Sequence, residues 1–214
     1  MPTSSPGRRS AVRQRKGDVR EQQILDAAED LLATHGFARM TVGDIAAATG
    51  ITRAALYFYF ASKQDVVTAL VARATVLLEQ KSESLRDDTA APEAVFATAL
   101  GRTAELWREH GAVMRAAVDL SSTVTEIDQL WTRTADVFID AIAGTLRRAG
   151  VSPGDGPGDA QALARALCWM IERSFYQAAR VSPDEIEQAR QTCLIVWTRL
   201  TTWANASGNP SPVL

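Results

Sequence analysis

The chain has 214 residues, of which 46% are apolar and 22% charged, enough for one or two packed domains. No stretch approaches the ~18 consecutive apolar residues of a membrane span, and the basic N-terminus lacks the apolar segment of a secretory signal, so a cytoplasmic location without a membrane partner is expected. The net charge of −2 speaks against a nucleic-acid binder, but residues 1–20 hold six basic groups and one acid and carry +5, which leaves −7 for the remainder.

That asymmetry predicts a disordered basic arm over 1–18, serving phosphates or only solubility. Helical periodicity then recurs along the chain with almost no strand signal, so the fold class is all-α with about nine helices. Ile24, Ala27, Ala28, Leu31 and Leu32 form a first apolar stripe ending at Gly36. Residues 41–60 hold two short helices broken at Gly50. Ser62 and Asp65 form a capping box for a longer helix that runs to about Leu85. Asp87 to Pro92 is a polar, proline-punctuated boundary. Beyond it, helices are marked by Val95 to Trp107, by Ala112 to Leu120, and by Ile127 to Leu146 ending at Gly150. The glycine-rich run 152–158 has neither a Lys-Ser/Thr pair nor a preceding strand and is no phosphate cradle. Two more helices carry Leu163 to Ser174 and Ile186 to Ala204. The expected divisions are a head with its linking helix over 19–85, a second domain over 92–206 and a flexible tail over 207–214.

Residues 41–60 carry the clearest chemistry. Thr41 caps the first short helix, with Asp44 complementing its N-terminus. Gly50 supplies the positive φ of the turn. Thr52 caps the second helix, and Arg53, Ala54, Ala55 and Tyr57 occupy its first turns. There a helix-turn-helix reads the major groove, Arg bonding guanine and small apolar groups meeting thymine methyls. Tyr59, Lys63 and Thr41 are expected on phosphates. Val42 and Gly43 face the DNA but add little readout. Tyr57 to Phe60 is a run of four aromatics, which cannot all face inward; Phe58 and Phe60 are expected in the core.

The segment from Ile24 to Leu78 resembles the TetR family of bacterial regulators. The resemblance rests on Ile24, Leu25, Ala27 and Ala28 with Leu31 and Leu32, then on His35, Gly36 and Phe37. It continues through Thr41, Val42, Asp44, Ile45 and Ala46 to Gly50, and through Leu56, Tyr57, Phe58, Tyr59 and Phe60 to Ser62 and Lys63. The run Tyr57 to Phe60 with Ser62 and Lys63, the pair Leu130-Trp131, and Glu172-Arg173 followed by aromatics make the chain most similar to the EthR-type actinobacterial repressors. The resemblance implies a three-helix DNA-binding head, a linking helix and a helical-bundle regulatory domain. It also implies a homodimer through the last two helices, although their apolar faces are equally compatible with ordinary core. It further implies an apolar tunnel faced by Phe96, Thr103, Trp107, Trp131, Phe138, Cys168, Ile171, Tyr176 and Trp197, residues whose spacing alone reads as core.

The expected function is a sequence-specific regulator, a repressor released from operator DNA by a small hydrophobic effector, with activation as the alternative. An enzyme finds little support, because no nucleophile–base pair, metal cluster or phosphate loop is visible; a helical adaptor is the other minor alternative. No metal and no cofactor are expected. Cys168 and Cys193 read as small buried hydrophobes, and His35 and His110 are isolated.

Overall fold

The computed structural model describes the backbone over residues 7–83 and 90–207, and side chains over 17–80 and 90–203. Among the described residues there are nine helices and no strand: α1 (Gly7–Arg39), α2 (Val42–Ala48), α3 (Arg53–Tyr57), α4 (Lys63–Glu83), α5 (Pro92–Glu109), α6 (Gly111–Ser121), α7 (Thr125–Arg148), α8 (Ala160–Ala178) and α9 (Pro183–Ser207). The chain divides into two compact units, Met1–Leu70 and Val71–Leu214, so α4 contributes to both.

In the first unit, α1 begins at Gly7, earlier than the sequence reading has it. Residues 7–18 of the expected disordered arm are therefore helical, in keeping with the helix propensity of the Ala, Arg, Gln and Lys that fill them. Residues 1–6 lie outside the described residues, as do the side chains of Arg8, Arg9, Arg13, Arg15 and Lys16. The helix bends at Gly36, whose φ of 71° no helix accommodates. Ile24, Leu25, Ala28 and Leu32 of α1 are buried, together with Met40, Ile45, Ala46, Leu56, Phe60, Val66, Val67 and Leu70. Each large aliphatic among them contributes ~1.5–3 kcal/mol on leaving water. That common core fixes α2 and α3 on α1.

In the second unit α7 packs on α8 and α6, and α9 packs on α5 and α8. Pro92 opens α5 at a position where a missing N–H costs nothing. The core gathers Phe96, Leu100, Trp107, Leu146, Leu167, Phe175, Cys193 and Trp197. The Phe96 and Trp197 rings stack with centroids 4.0 Å apart. Leu78 of α4 belongs to this core as well; that is why the second half of the linking helix sits with the second unit rather than with the head. The end of that helix near Leu85 and the tail beyond Ser207 lie outside the described residues.

A polar clasp joins α5 to α9. Glu187 receives Arg108 at 2.8 Å and Arg190 at 2.5 Å. Hydrogen bonds from Arg190 and Gln191, and then from Arg108, hold its carboxyl down at about 2. A carboxylate whose pKa falls on folding stabilises the fold above its unfolded pKa of 4.5, and that contribution is lost as pH falls toward 2. The Glu187 side chain is 38% exposed, so solvent screening holds the effect to below about 1 kcal/mol. Glu187→Gln is expected to lower the melting midpoint by at most about 2–4 °C at pH 7 and to leave it unchanged near pH 2. Calorimetry at the two pH values checks this.

Candidate functional site

The first candidate surface is built by α2 and α3. Thr41 accepts from the Asp44 N–H at 3.2 Å, while its own N–H and hydroxyl donate to Asp44 Oδ2 at 2.9 and 2.7 Å. Those bonds from the Thr41 hydroxyl and backbone hold the Asp44 carboxyl below the usual carboxylate range. Gly50 turns the chain at φ 64°, and Ile51 N–H returns to Ala46 O at 3.0 Å. Buried Ala46 brings only a methyl group to that turn. Thr52 then accepts from Ala55 N–H at 3.1 Å and starts α3.

Leu56 and Phe60 face the core, four residues apart, and everything between Thr52 and Phe58 on the other side faces water. Thr52, Arg53 and Ala54 are exposed, Ala55 and Tyr59 are half-buried, Tyr57 is 53% exposed and Phe58 85%. The expected burial of Phe58 is thus incorrect. The helix stops at Tyr57, and the alternation that buries Leu56 and Phe60 turns Phe58 outward, edge-on to Tyr59 with centroids 5.6 Å apart.

Two expected phosphate ligands have other duties. Lys63 Nζ donates to Phe37 O at 2.7 Å, Met40 O at 3.0 Å and Ala38 O at 3.5 Å, and lies 4.4 Å from the Phe37 ring centre. These bonds tie the start of α4 to the end of α1. Thr41 likewise spends both its donors on Asp44. Arg53, by contrast, lies across the first turn of α2. A Cβ on Gly43 would stand 2.5 Å from Arg53 Nη2 and 2.9 Å from Nε, so the missing side chain of Gly43 is what admits the guanidinium. Val42 beside it is half-buried.

The second candidate site is a cavity of about 100 Å3 inside the second unit. Phe96, Ala99, Leu100, Thr103 and Trp107 of α5 line it, with Trp131, Thr134, Ala135, Phe138 and Ile142 of α7 opposite. Cys168, Trp169, Ile171 and Glu172 of α8 and Leu78 of α4 complete the wall. An open cleft of about 540 Å3 adjoins it through Phe96, Ala99, Phe138 and Ile142 and adds Asp140 and Arg148. Trp131 Nε1 donates to Glu172 Oε2 at 2.8 Å. Burial pushes the Glu172 carboxyl up, opposed by that hydrogen bond and by Arg173. Burial, aided by the nearby charges of Glu172 and Asp136, pushes the Cys168 thiol up to about 12, so it is no nucleophile.

Tyr176 and Trp197 do not line the cavity. The Tyr176 hydroxyl donates to Asp119 Oδ1 at 2.5 Å, and Arg173 and Arg180 lie over its ring. Trp197 stands behind Phe96 in the core. The other seven expected residues do line it. Leu78, Ala99, Leu100, Thr134, Ala135, Ile142, Trp169 and Glu172 are the additions; the acid next to Arg173 was the signal available for the last of these.

Residues 24–70 match the model of the bacterial regulatory proteins of the tetR family, and residues 96–202 match that of the C-terminal domain of the transcriptional regulator EthR. The HTH-type transcriptional regulator EthR of Mycobacterium tuberculosis is 31% identical over 209 residues, covering 92% of this chain and 96% of the relative. The chain belongs to the TetR family. Its second half is of the EthR type. The EthR of Mycolicibacterium smegmatis is 30% identical, covering 97% of this chain and 94% of that one. A TetR-family regulator from Streptomyces coelicolor shares the fold with a TM-score of 0.71 at 21% identity, covering 88% of this chain and 83% of that one. The TetR-family chain is accordingly a DNA-binding transcriptional regulator with a helix-turn-helix, not an enzyme. No helix among the described residues is long and apolar enough to cross a membrane.

Proposed function

We propose that this TetR-family protein is a homodimeric repressor, released from its operator when a small hydrophobic effector enters the second-unit cavity. The observation that carries this reading is Leu78. It lines the cavity from the same unbroken helix whose first residue, Lys63, is bonded to the end of α1. Glu79 adds a second link, accepting from the Thr134 hydroxyl at 3.3 Å. As it stands the cavity is narrower than the ~300–1,000 Å3 that a drug-sized ligand fills. In this reading an effector that parts the cavity walls strains Leu78 and, through it, α4. An effector with more affinity for the widened form draws the population away from the DNA-competent one.

In this reading Arg53, Ala54, Ala55, Tyr57 and Phe58 meet base edges, and Thr52 and Tyr59 meet phosphates. An exposed pair of neighbouring aromatics is unusual on a monomer surface unless a partner covers it. The test is a mobility shift on the DNA upstream of the protein's own gene, with a salt titration. Wild type is expected to bind with a steep salt dependence, and Tyr57→Ala to lose that binding at an unchanged melting midpoint. A Tyr57→Ala protein that binds as tightly as wild type defeats the readout assignment. Deleting the gene is expected to raise transcription from the bound promoter; a fall marks an activator.

The dimer is assigned to α8 and α9. Ile195 is 59% exposed and Trp203 60%, large apolar groups on α9 that a second copy of the face would cover. Ile195→Glu is expected to give a folded monomer by sedimentation and to lose operator binding.

A further inference from the structure

We propose that the cavity takes a lipophilic cation, an apolar body ending in a protonated amine, with Glu172 as its counter-charge. This rests on the reading of the cavity as an effector site.

The polar groups of the wall differ in what they have left to offer. The Thr103 hydroxyl donates to Ala99 O at 3.0 Å, and that of Thr134 to Glu79 Oε1. The Cys168 thiol points to Ala135 O at 3.9 Å, and the Trp131 indole N–H is given to Glu172 Oε2. The donors of Thr103, Thr134, Cys168 and Trp131 are thus committed within the protein. Among the described residues the only hydrogen bond to the Glu172 carboxylate is the indole's to Oε2, which leaves Oε1, on a largely apolar wall, open to a ligand's donor. A ligand therefore gains by bringing a donor to this carboxylate.

The charge of that donor follows from the surroundings. Among the described residues no lysine or arginine lines the cavity. Arg173, the next residue along α8, places its guanidinium 4.7 Å from the Tyr176 ring instead. Glu172 is the one charged side chain among the described residues that line the cavity. The rings of Phe96, Trp107, Trp131 and Phe138 add faces that attract a cation. An ammonium at Oε1 makes a charge-assisted hydrogen bond. A hydroxyl makes only a neutral donor's bond, and a carboxylate meets like charge.

The test uses three eight-carbon probes on the full-length protein, octylamine, 1-octanol and octanoate, read by tryptophan fluorescence and by thermal shift at pH 7, where the amine is fully protonated. Octylamine is expected to bind at least tenfold more tightly than 1-octanol, with octanoate weakest. Glu172→Gln keeps an acceptor for the Trp131 indole and is expected to erase the difference between amine and alcohol. Glu172→Asp keeps the charge and is expected to keep the preference. Amine and alcohol binding equally to wild type, octanoate binding best, or a preference that survives Glu172→Gln overturns the cation assignment and leaves the effector site standing. If none of the three probes moves either signal, the effector reading falls and this assignment falls with it.

Discussion

Arg53→Ala is expected to lower operator affinity by ~5- to 150-fold, the ~1–3 kcal/mol of a bidentate base contact, at an unchanged melting midpoint. The side chain is exposed and contributes nothing to the head's core, so stability and binding separate cleanly. Two controls identify what the guanidinium does. If it reads a guanine, discrimination at one operator position is lost and the salt slope hardly moves; if it holds a phosphate, all sequences weaken together and the slope falls by about one. Gly43→Ala tests its posture. Alanine is favoured over glycine inside a helix by ~0.5–1 kcal/mol, so the variant is expected to be as stable as wild type or more so. Yet its Cβ would lie 2.5 Å from Nη2 and displace the guanidinium from α2. Weaker operator binding by a protein that melts no lower is the expected result. Unchanged binding would mean that Arg53 reaches DNA from some other rotamer.

The two sites were legible in the sequence to different depths, for physical reasons. Caps and turns are local, so Thr41 with Asp44, Gly50 and Thr52 could be placed from spacing alone, and the structure has each where the pattern puts it. Phe58 could not, because α3 has barely more than one turn and a helical period is no guide past its end. The cavity was harder to read. Period assigns a residue to a face of a helix but says nothing of its depth along the axis or of what stands in front of it. Tyr176 follows Glu172 by one turn, yet a carboxylate on α6 draws its hydroxyl away. Trp197 faces the right way and is screened by Phe96. Leu78 reads as one more apolar position of α4, and nothing in its own helix distinguishes a core contact from a cavity wall.

Lys63 is where spacing and structure part most sharply, and its replacement is expected to have the largest effect on stability. A lysine just after an exposed aromatic run reads as a phosphate contact. The fold instead brings Phe37 O, Ala38 O and Met40 O to its ammonium, because the bend at Gly36 leaves the last carbonyls of α1 without helical partners. Cations are favoured at such an end, and three rotatable N–H groups suit three carbonyls from one short stretch. Lys63→Met keeps most of the apolar stem but strands those oxygens. It is expected to destabilise the head by ~2–3 kcal/mol, the scale of a lost charged hydrogen bond with its acceptors left unpaired. Lys63→Arg is expected to recover only part of this, since a planar fork does not fit three convergent carbonyls. Calorimetry and a salt-dependent mobility shift on the same proteins separate the two roles. A phosphate clamp predicts an unchanged midpoint and a salt slope smaller by about one. The tie predicts a lower midpoint, with operator affinity recovered whenever the head is kept folded at low temperature.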